Sequence, residues 1–382
     1  MYTRGYMKYD VLILGGSGMQ GKIAARDLLE NNYSVFLADL NDEGAKKIMD
    51  KYPDKTDFAF IDLRKIAATA TLIKKVKPTV VLNCAEGDWN LNVYKACLKT
   101  RTHVLDLGSD IPMTKKQLAM HNDFKKKDLI AITGCGSTPG INNVMLHHAH
   151  QLFDTLDTVE AGFAWDSNIK EFVVPFSVPS IIEEFTELAD VVENGKYVKK
   201  VPMETIEERE FREIGKQKCF FVRHPETHTF NVYNKKDGLK NIRFYAGFPD
   251  HSIDAFKTFI STGLGSKESV FIGDQEVTPV GVLTNVLRKN PIPEGYTEKE
   301  NLWVRVWGKK NGAHHKILME CIVNTLPDWQ DAGCNIDTGM PASIMTQMVI
   351  DGRITAHGSY PPGPVVPTEK FFSELAKRKM QV

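Results

Sequence analysis

Four consecutive apolar residues, Val11-Leu12-Ile13-Leu14, run into a stretch of glycines. Apolar positions at helical spacing follow, Ile23, Ala24, Leu28 and Leu29, and then a second apolar run, Val35-Phe36-Leu37-Ala38. Period and order predict strand, turn, helix and strand. The pattern then repeats: Phe58-Ala59-Phe60-Ile61 stops at Asp62, Val80-Val81-Leu82 at Asn83-Cys84-Ala85, His103-Val104-Leu105 at Asp106, and Ile130-Ala131-Ile132 at Thr133-Gly134. Short strands alternating with helical stretches predict a parallel, doubly wound sheet. Each strand brings a polar or small residue to its carboxyl end, which is the ligand edge of such a sheet.

After Gly140 the pattern changes. Val191 to Val198 centres on Asn194-Gly195, and Trp303-Val304-Arg305-Val306-Trp307 faces Ile317-Leu318-Met319-Glu320-Cys321 across Asn311-Gly312. Asn-Gly tolerates the positive φ angles of a type I′ turn, so both segments are expected to be hairpins. Near the end, Pro341 to Ile350 is expected to be an amphipathic helix with Met345, Met348 and Val349 inward, and Phe371 to Lys379 another. Tyr360-Pro361-Pro362-Gly363-Pro364 between them is expected to be an extended loop. The predicted fold class is α/β, an N-terminal Rossmann domain with a doubly wound parallel sheet, plus an α+β domain with a mostly antiparallel sheet. The expected boundaries are 1–140 plus 339–382 for the first and 141–338 for the second, which would carry substrate binding and dimerisation.

The glycine turn adds chemistry to this architecture. Gly15-Gly16-Ser17-Gly18-Met19-Gln20-Gly21 fits GxGxxG through Gly16, Gly18 and Gly21. Gly16 would allow the tight turn, Gly18 would let the backbone approach a pyrophosphate, and Gly21 would let helix and strand pack closely. The helix N-terminus, with Met19 and Gln20 in its first turn, would present free N–H groups and a positive dipole end to the phosphates. Asp39 closes the second strand at the fingerprint's spacing. A carboxylate there accepts hydrogen bonds from the adenosine ribose and repels a 2′-phosphate, so NAD is expected rather than NADP. Asp62 is a candidate for the adenine side, with a loop residue or helix cap as the alternative. Asn83, Cys84 and Ala85 are candidates for the nicotinamide side.

Length and charge narrow the remaining possibilities. The 382 residues suggest two or three domains. Lys+Arg and Asp+Glu both number 48, so no net field favours nucleic acid or an anionic membrane. No apolar run approaches the roughly 20 residues that span a bilayer, and the start lacks a signal-peptide core. The expectation is a soluble, cytoplasmic protein. The leader Met1–Tyr6 precedes Met7, an alternative start, and nothing functional is expected before it. The six cysteines show no CxxC pair, so reduced packing residues are expected and no metal site. His147, His148 and His150 lie on an expected helix with diverging directions and no completing carboxylate, and are taken as exposed histidines.

Four stretches together resemble the saccharopine dehydrogenase-like family, which includes saccharopine reductases, lysine 6-dehydrogenases and carboxynorspermidine dehydrogenases. They are Gly15–Gly21 with Ala25-Arg26-Asp27-Leu28; Val104 to Gly108 followed by Gly134-Cys135-Gly136-Ser137-Thr138-Pro139-Gly140-Ile141-Asn142-Asn143; Ile242-Arg243-Phe244-Tyr245-Ala246-Gly247-Phe248; and Gly339-Met340-Pro341-Ala342 through Gly358, Pro361-Pro362 and Phe371-Phe372. The helix at Ile181-Ile182-Glu183-Glu184-Phe185 and the hairpin after it look most like lysine 6-dehydrogenases. His224-Pro225-Glu226 before the Arg243 strand looks more like the carboxynorspermidine branch.

The resemblance implies hydride transfer between a nicotinamide and a carbon bonded to nitrogen in a small amino-acid substrate, within a homodimer. The protein must then orient the substrate, hold its carboxylate and handle one proton. Arg243 is the candidate carboxylate ligand because a guanidinium offers a planar anion a bidentate fork. Its alternative role is a strand arginine paired with a nearby acid. Arg223 is a second candidate. His224 and Glu226 are candidates for proton handling, with an exposed or capping histidine as the alternative. Cys135 is expected to pack beneath the nicotinamide. The first expected activity is that of a lysine 6-dehydrogenase, with saccharopine or carboxynorspermidine oxidoreductase as the enzyme alternative. A non-catalytic nucleotide sensor or scaffold is the alternative of another class.

Overall fold

The computed structural model describes residues 8–382, so the leader and the alternative start at Met7 lie outside the described residues. Two compact units emerge: the described residues up to Leu152 joined by Ile336–Val382, and Phe153–Asn335. Among the described residues no helix is long and apolar enough to cross a membrane.

The first unit is built on one parallel sheet. Its strands are β1 (Val11–Leu14), β2 (Val35–Asp39), β3 (Thr56–Phe60), β4 (Val80–Asn83), β5 (His103–Asp106) and β6 (Ile130–Ile132). The spatial order from one edge is Gly358–Tyr360, β6, β5, β4, β1, β2, β3. Strand β1 pairs with β2 on one side, Leu14 opposite Ala38, and with β4 on the other, Leu14 opposite Asn83. The chain reverses direction of travel through the sheet at that point, which opens a crevice at the carboxyl ends of β1 and β4. Every residue of β1 is buried, as expected of a parallel strand covered on both faces.

Two expectations for the tail need correcting. Tyr360 is not in a loop but ends a strand, Gly358–Tyr360, that pairs parallel with β6. Three residues containing glycine and serine carry too little apolar pattern to reveal such a strand. The helix expected from Pro341 starts earlier and spans Ile336–Ile350, with Pro341 inside it. It is buried on nearly every side, Ser343, Thr346 and Gln347 included, so it lacks the exposed polar face of an amphipathic helix.

That burial is made possible by a polar cluster. Asp27, on α1 (Met19–Glu30), receives Nε and Nη2 of Arg378 at 2.6 and 2.9 Å, the Ser343 hydroxyl at 2.6 Å and the Gln347 amide at 3.1 Å. Arg378 also donates to Glu374 at 3.1 Å. Both charges are nearly buried, at 3 % exposure for Asp27 and 9 % for Arg378, and a buried ion pair holds only when its remaining groups are also satisfied.

The second unit contains a mixed sheet in the order Glu207–Phe211, Gly215–Phe221, Asn241–Phe248, Thr155–Ser167, Glu298–Lys310, Ala313–Asn324. Only Asn241–Phe248 and Thr155–Ser167 pair in parallel along this path. Both expected hairpins form, and their turns take matching positive φ values: 50° and 78° at Asn194 and Gly195, and 50° and 78° at Asn311 and Gly312. Along Asn241–Phe248, Phe244 and Phe248 point to one face, where Phe248 meets Phe163, Phe185 and Phe220. Arg243 and Tyr245 point to the other.

Replacing Arg378 with alanine would leave the Asp27 carboxylate buried without its cation. Chemical denaturation is expected to show a loss of about 3–5 kcal/mol, and adding Asp27→Asn should recover part of it. A loss below about 0.5 kcal/mol would mean that the pair anchors nothing.

Candidate functional site

The turn after β1 is shaped by close backbone approaches. The N–H groups of Gly15 and Gly16 both reach the Ala38 carbonyl, at 2.9 and 3.1 Å. The positive φ of the turn, +77°, falls at Gly15 rather than at Gly16, and a Cβ at Gly15 would lie 2.5 Å from the Ala85 nitrogen. Gly16 instead packs on Leu37, whose Cδ2 would lie 2.9 Å from an added Cβ. At Gly21 a Cβ would collide with the Gly15 carbonyl oxygen, so helix and strand meet there without space for a methyl group. Gly18 differs: an added Cβ would meet only the Gly15 oxygen, at 3.3 Å, and otherwise open space.

Gly18 is also the N-cap of α1, which has no capping side chain and no acid in its first turn. The amino end of this helix therefore has no side-chain cap and no acid competing with an anion for its positive end, and the backbone at Gly18 is clear of side chains. These residues fit the diphosphate of a dinucleotide. Gly44 was not singled out from sequence, yet its missing Cβ lets the following helix lie on the Ser17 carbonyl.

Asp39 ends β2 with its carboxylate fixed by two backbone N–H groups, Ser17 at 2.9 Å and Leu40 at 2.6 Å. Asp62 forms a fork with Arg64, whose Nε and Nη2 lie 2.8 and 3.0 Å away, and the pairing holds its carboxyl below the usual range. Asn83 is buried and bonded to Asn90 at 2.7 Å, and Asn90 reaches the Gly108 carbonyl at 3.2 Å. The Cys84 thiol is pushed up strongly by burial and then by the nearby Asp106 charge, and Cys135 is shifted the same way. Thiols so disfavoured as thiolates are packing groups rather than nucleophiles.

Asp106 was visible from sequence only as the end of a strand. The structure makes it the centre of the β5 and β6 ends. Its oxygens accept from the N–H groups of Gly108 and Gly134, the Tyr94 and Thr133 hydroxyls and the Gln117 amide. The Pro139 ring sits over the two glycines, with Cγ 2.6 Å from where a Cβ would lie on either.

In the second unit His224 caps the helix Pro225–Asn234, and its Nδ1 is hydrogen-bonded to the carboxylate of Glu226, which is fully buried. The imidazole stacks on Phe244 with centroids 4.1 Å apart and planes 8° from parallel. Arg243 lies on the opposite face of the same strand. Its Nη1 is 3.2 Å from Glu160, which also takes Arg209 at 2.8 Å, while Arg209 donates to the Tyr245 hydroxyl at 2.7 Å. Adjacent residues in a strand point opposite ways, so Arg243 and His224 do not converge. Arg223 adjoins His224 and has a looser partner, Glu187 at 3.8 Å. In the first unit, His148 lies against Glu369 at 3.4 Å and the Phe372 ring, and His147 is half-buried.

Residues 11–132 match the family described as saccharopine dehydrogenase NADP binding domain, and residues 136–380 match the saccharopine dehydrogenase C-terminal domain. The chain belongs to the saccharopine dehydrogenase family. It is an NAD(P)-dependent oxidoreductase acting on CH–NH or CH–NH2 groups, which sets aside a non-catalytic sensor. Among relatives, carboxynorspermidine synthase of Vibrio alginolyticus is 24% identical over 378 residues, covering 90% of each chain. Carboxyaminopropylagmatine dehydrogenase of Synechocystis is 22% identical over 359 residues, covering 90% of this chain and 89% of that one. Apo saccharopine dehydrogenase (L-Glu forming) of Saccharomyces cerevisiae shares the fold with a TM-score of 0.75, at 14% identity and coverage of 97% and 98%.

The two glycines make opposite predictions. Gly18→Val, projecting into open space, should abolish NAD(H) binding by calorimetry while costing the fold no more than about 1 kcal/mol. Gly21→Val should instead destabilise by about 1–3 kcal/mol or more through overpacking. If the Gly18 variant binds NAD(H) normally, the turn does not carry the diphosphate.

Proposed function

We propose that this enzyme makes or breaks a secondary-amine C–N bond in a carboxylated polyamine, with His224 as the proton-handling group. The observation that carries the reading is the His224–Glu226 pair, and the relatives matched over nine-tenths of the chain support the substrate class. The nicotinamide, when bound, accepts or supplies the hydride. Glu226 accepts a hydrogen bond from Nδ1–H of His224, which fixes the tautomer and leaves the Nε2 lone pair to accept a proton. In the oxidative direction that proton comes from the substrate ammonium, because only a neutral amine has the lone pair needed to form the imine. In the reductive direction His224 returns it to the amine product. The substrate carboxylate is assigned to Arg223, next to His224 and loosely paired, in preference to Arg243, which Glu160 engages on the other face of the strand.

NAD(H) is proposed as the coenzyme on the strength of Asp39, although the matched family is described as NADP-binding. Met19, Gln20, Asp62, Asn83, Cys84 and Ala85 are retained as cofactor-contacting candidates. Activity on free lysine is the second reading, favoured by the helix Val178–Thr186 and the hairpin turn at Asn194. A homodimer is proposed with either, and light scattering at the mass of one chain would remove it.

Three measurements test these assignments. Steady-state assays of NAD and NADP with carboxynorspermidine, saccharopine and lysine should give turnover with the first; turnover with lysine alone would transfer the assignment to a lysine 6-dehydrogenase. Arg223→Ala should raise KM for the amino substrate about tenfold or more with little change in coenzyme affinity, while Arg243→Ala should not, and the reverse result would exchange their roles. His224→Gln should lower kcat by about 10²–10⁴ and remove an ionisation from the pH–rate profile, whereas an unchanged profile would exclude it as the base. For the coenzyme, Asp39→Ala should narrow the gap between NAD and NADP affinities, and equal affinities in the wild type would rule out the Asp39 argument.

A further inference from the structure

Asp106 is fully buried, and all of its hydrogen-bond partners are neutral. Oδ1 takes the N–H groups of Gly108 and Gly134 at 2.7 and 3.2 Å and the Thr133 hydroxyl at 3.1 Å, and Oδ2 takes the Tyr94 hydroxyl and the Gln117 amide nitrogen, both at 2.7 Å. The three N–H donors have no lone pair with which to accept a carboxyl proton, so the surroundings are built for the ionised form. Burial pushes this carboxyl up, and hydrogen bonds from Tyr94, Gly108, Gly134 and Gln117 oppose it. The result is an anion at the carboxyl ends of β4, β5 and β6 with no cation among its hydrogen-bond partners in the described residues. Asn83, next to Cys84, pairs with Asp106 in strand register, and the Cys135 N–H donates to the Asp106 carbonyl at 2.8 Å.

We propose that Asp106 is a fixed negative charge that makes the site prefer the oxidised over the reduced nicotinamide. The inference rests on the proposed placement of the nicotinamide beside Asn83, Cys84 and Ala85. The oxidised ring carries a positive charge and the reduced ring is neutral, so a buried anion attracts one form and is indifferent to the other. In a low-dielectric interior this attraction persists over several ångströms and is weakly screened by salt. Asp106 is thus an electrostatic determinant of redox-state affinity, acting without contact with the reacting atoms. A purely structural Asp106, bracing the loops at Gly108 and Gly134, would affect both coenzyme forms alike.

The test is the ratio of Kd for NAD+ to Kd for NADH, measured by calorimetry and NADH fluorescence on the full chain at fixed salt. Wild type should bind NAD+ at least as tightly as NADH, and NADH binding more than about tenfold tighter, or 1.4 kcal/mol, would overturn the proposal without any variant. Asp106→Asn should shift the ratio about three- to tenfold toward NADH, a range appropriate to one charge at moderate effective dielectric. An unchanged ratio, or equal weakening of both forms, would overturn it. Gly18→Val separates this failure from that of the cofactor placement: if it leaves both affinities intact, the dinucleotide is not at this turn.

Discussion

A carboxylate on the first helix and a guanidinium 351 positions later hold the first unit in one piece. Asp27 cannot be solvated where it sits, so Arg378, Ser343 and Gln347 must all arrive for its oxygens to be satisfied. Their arrival carries the helix Ile336–Ile350 and the C-terminal helix onto α1, and with them the strand that extends the sheet beyond β6. The crevice between β1 and β4 is formed by the same helices and strands. Its geometry therefore depends on a bond to the far end of the chain.

The two ends of the sheet's carboxyl edge differ in polarity. At the β2 end, Asp39 is fixed by backbone donors and partly open to solvent. At the β5 end, Asp106 is dry and surrounded by donors, and it also orders the loops through Gly108 and Gly134. One acid is available to donors from outside, and the other has its donors built in. Asn83 and Cys84 end β4, between the two, and Cys135 follows β6 on the far side of β5.

Features with local chemistry were legible in the sequence. The glycine turn needs particular residues at particular offsets, and an Asn-Gly turn must accommodate two positive φ angles, so the parallel sheet and both hairpins could be named in advance. The pairing of His224 with Glu226 was within reach because only two positions separate them. Features made by distant residues were not legible. Tyr94, Gln117 and Gly134 converge on Asp106 from three other parts of the unit, and nothing in their spacing announces it. Glu160 meets Arg243 only through strand register, and the facing of Arg243 away from His224 follows from an alternation whose phase the sequence did not set. The approach of the Ser17 carbonyl to Gly44 is likewise a tertiary contact without a local signal.

The discontinuity of the first unit bears on how the chain is made. Its first six strands leave the ribosome long before Ile336–Ile350, Gly358–Tyr360 and Arg378 exist, and all of residues 153–335 must be synthesised in between. At about 5–20 residues per second that interval is roughly 10–40 s. Throughout it, Asp27 and the apolar face of α1 lack their partners, and the β6 edge is open to any passing strand. The second unit, continuous in sequence, has no such delay and can fold while the first is still waiting. Nascent-chain handling by chaperones should therefore concentrate on the amino-terminal segment, and a truncation before Ile336 would leave that exposure permanent.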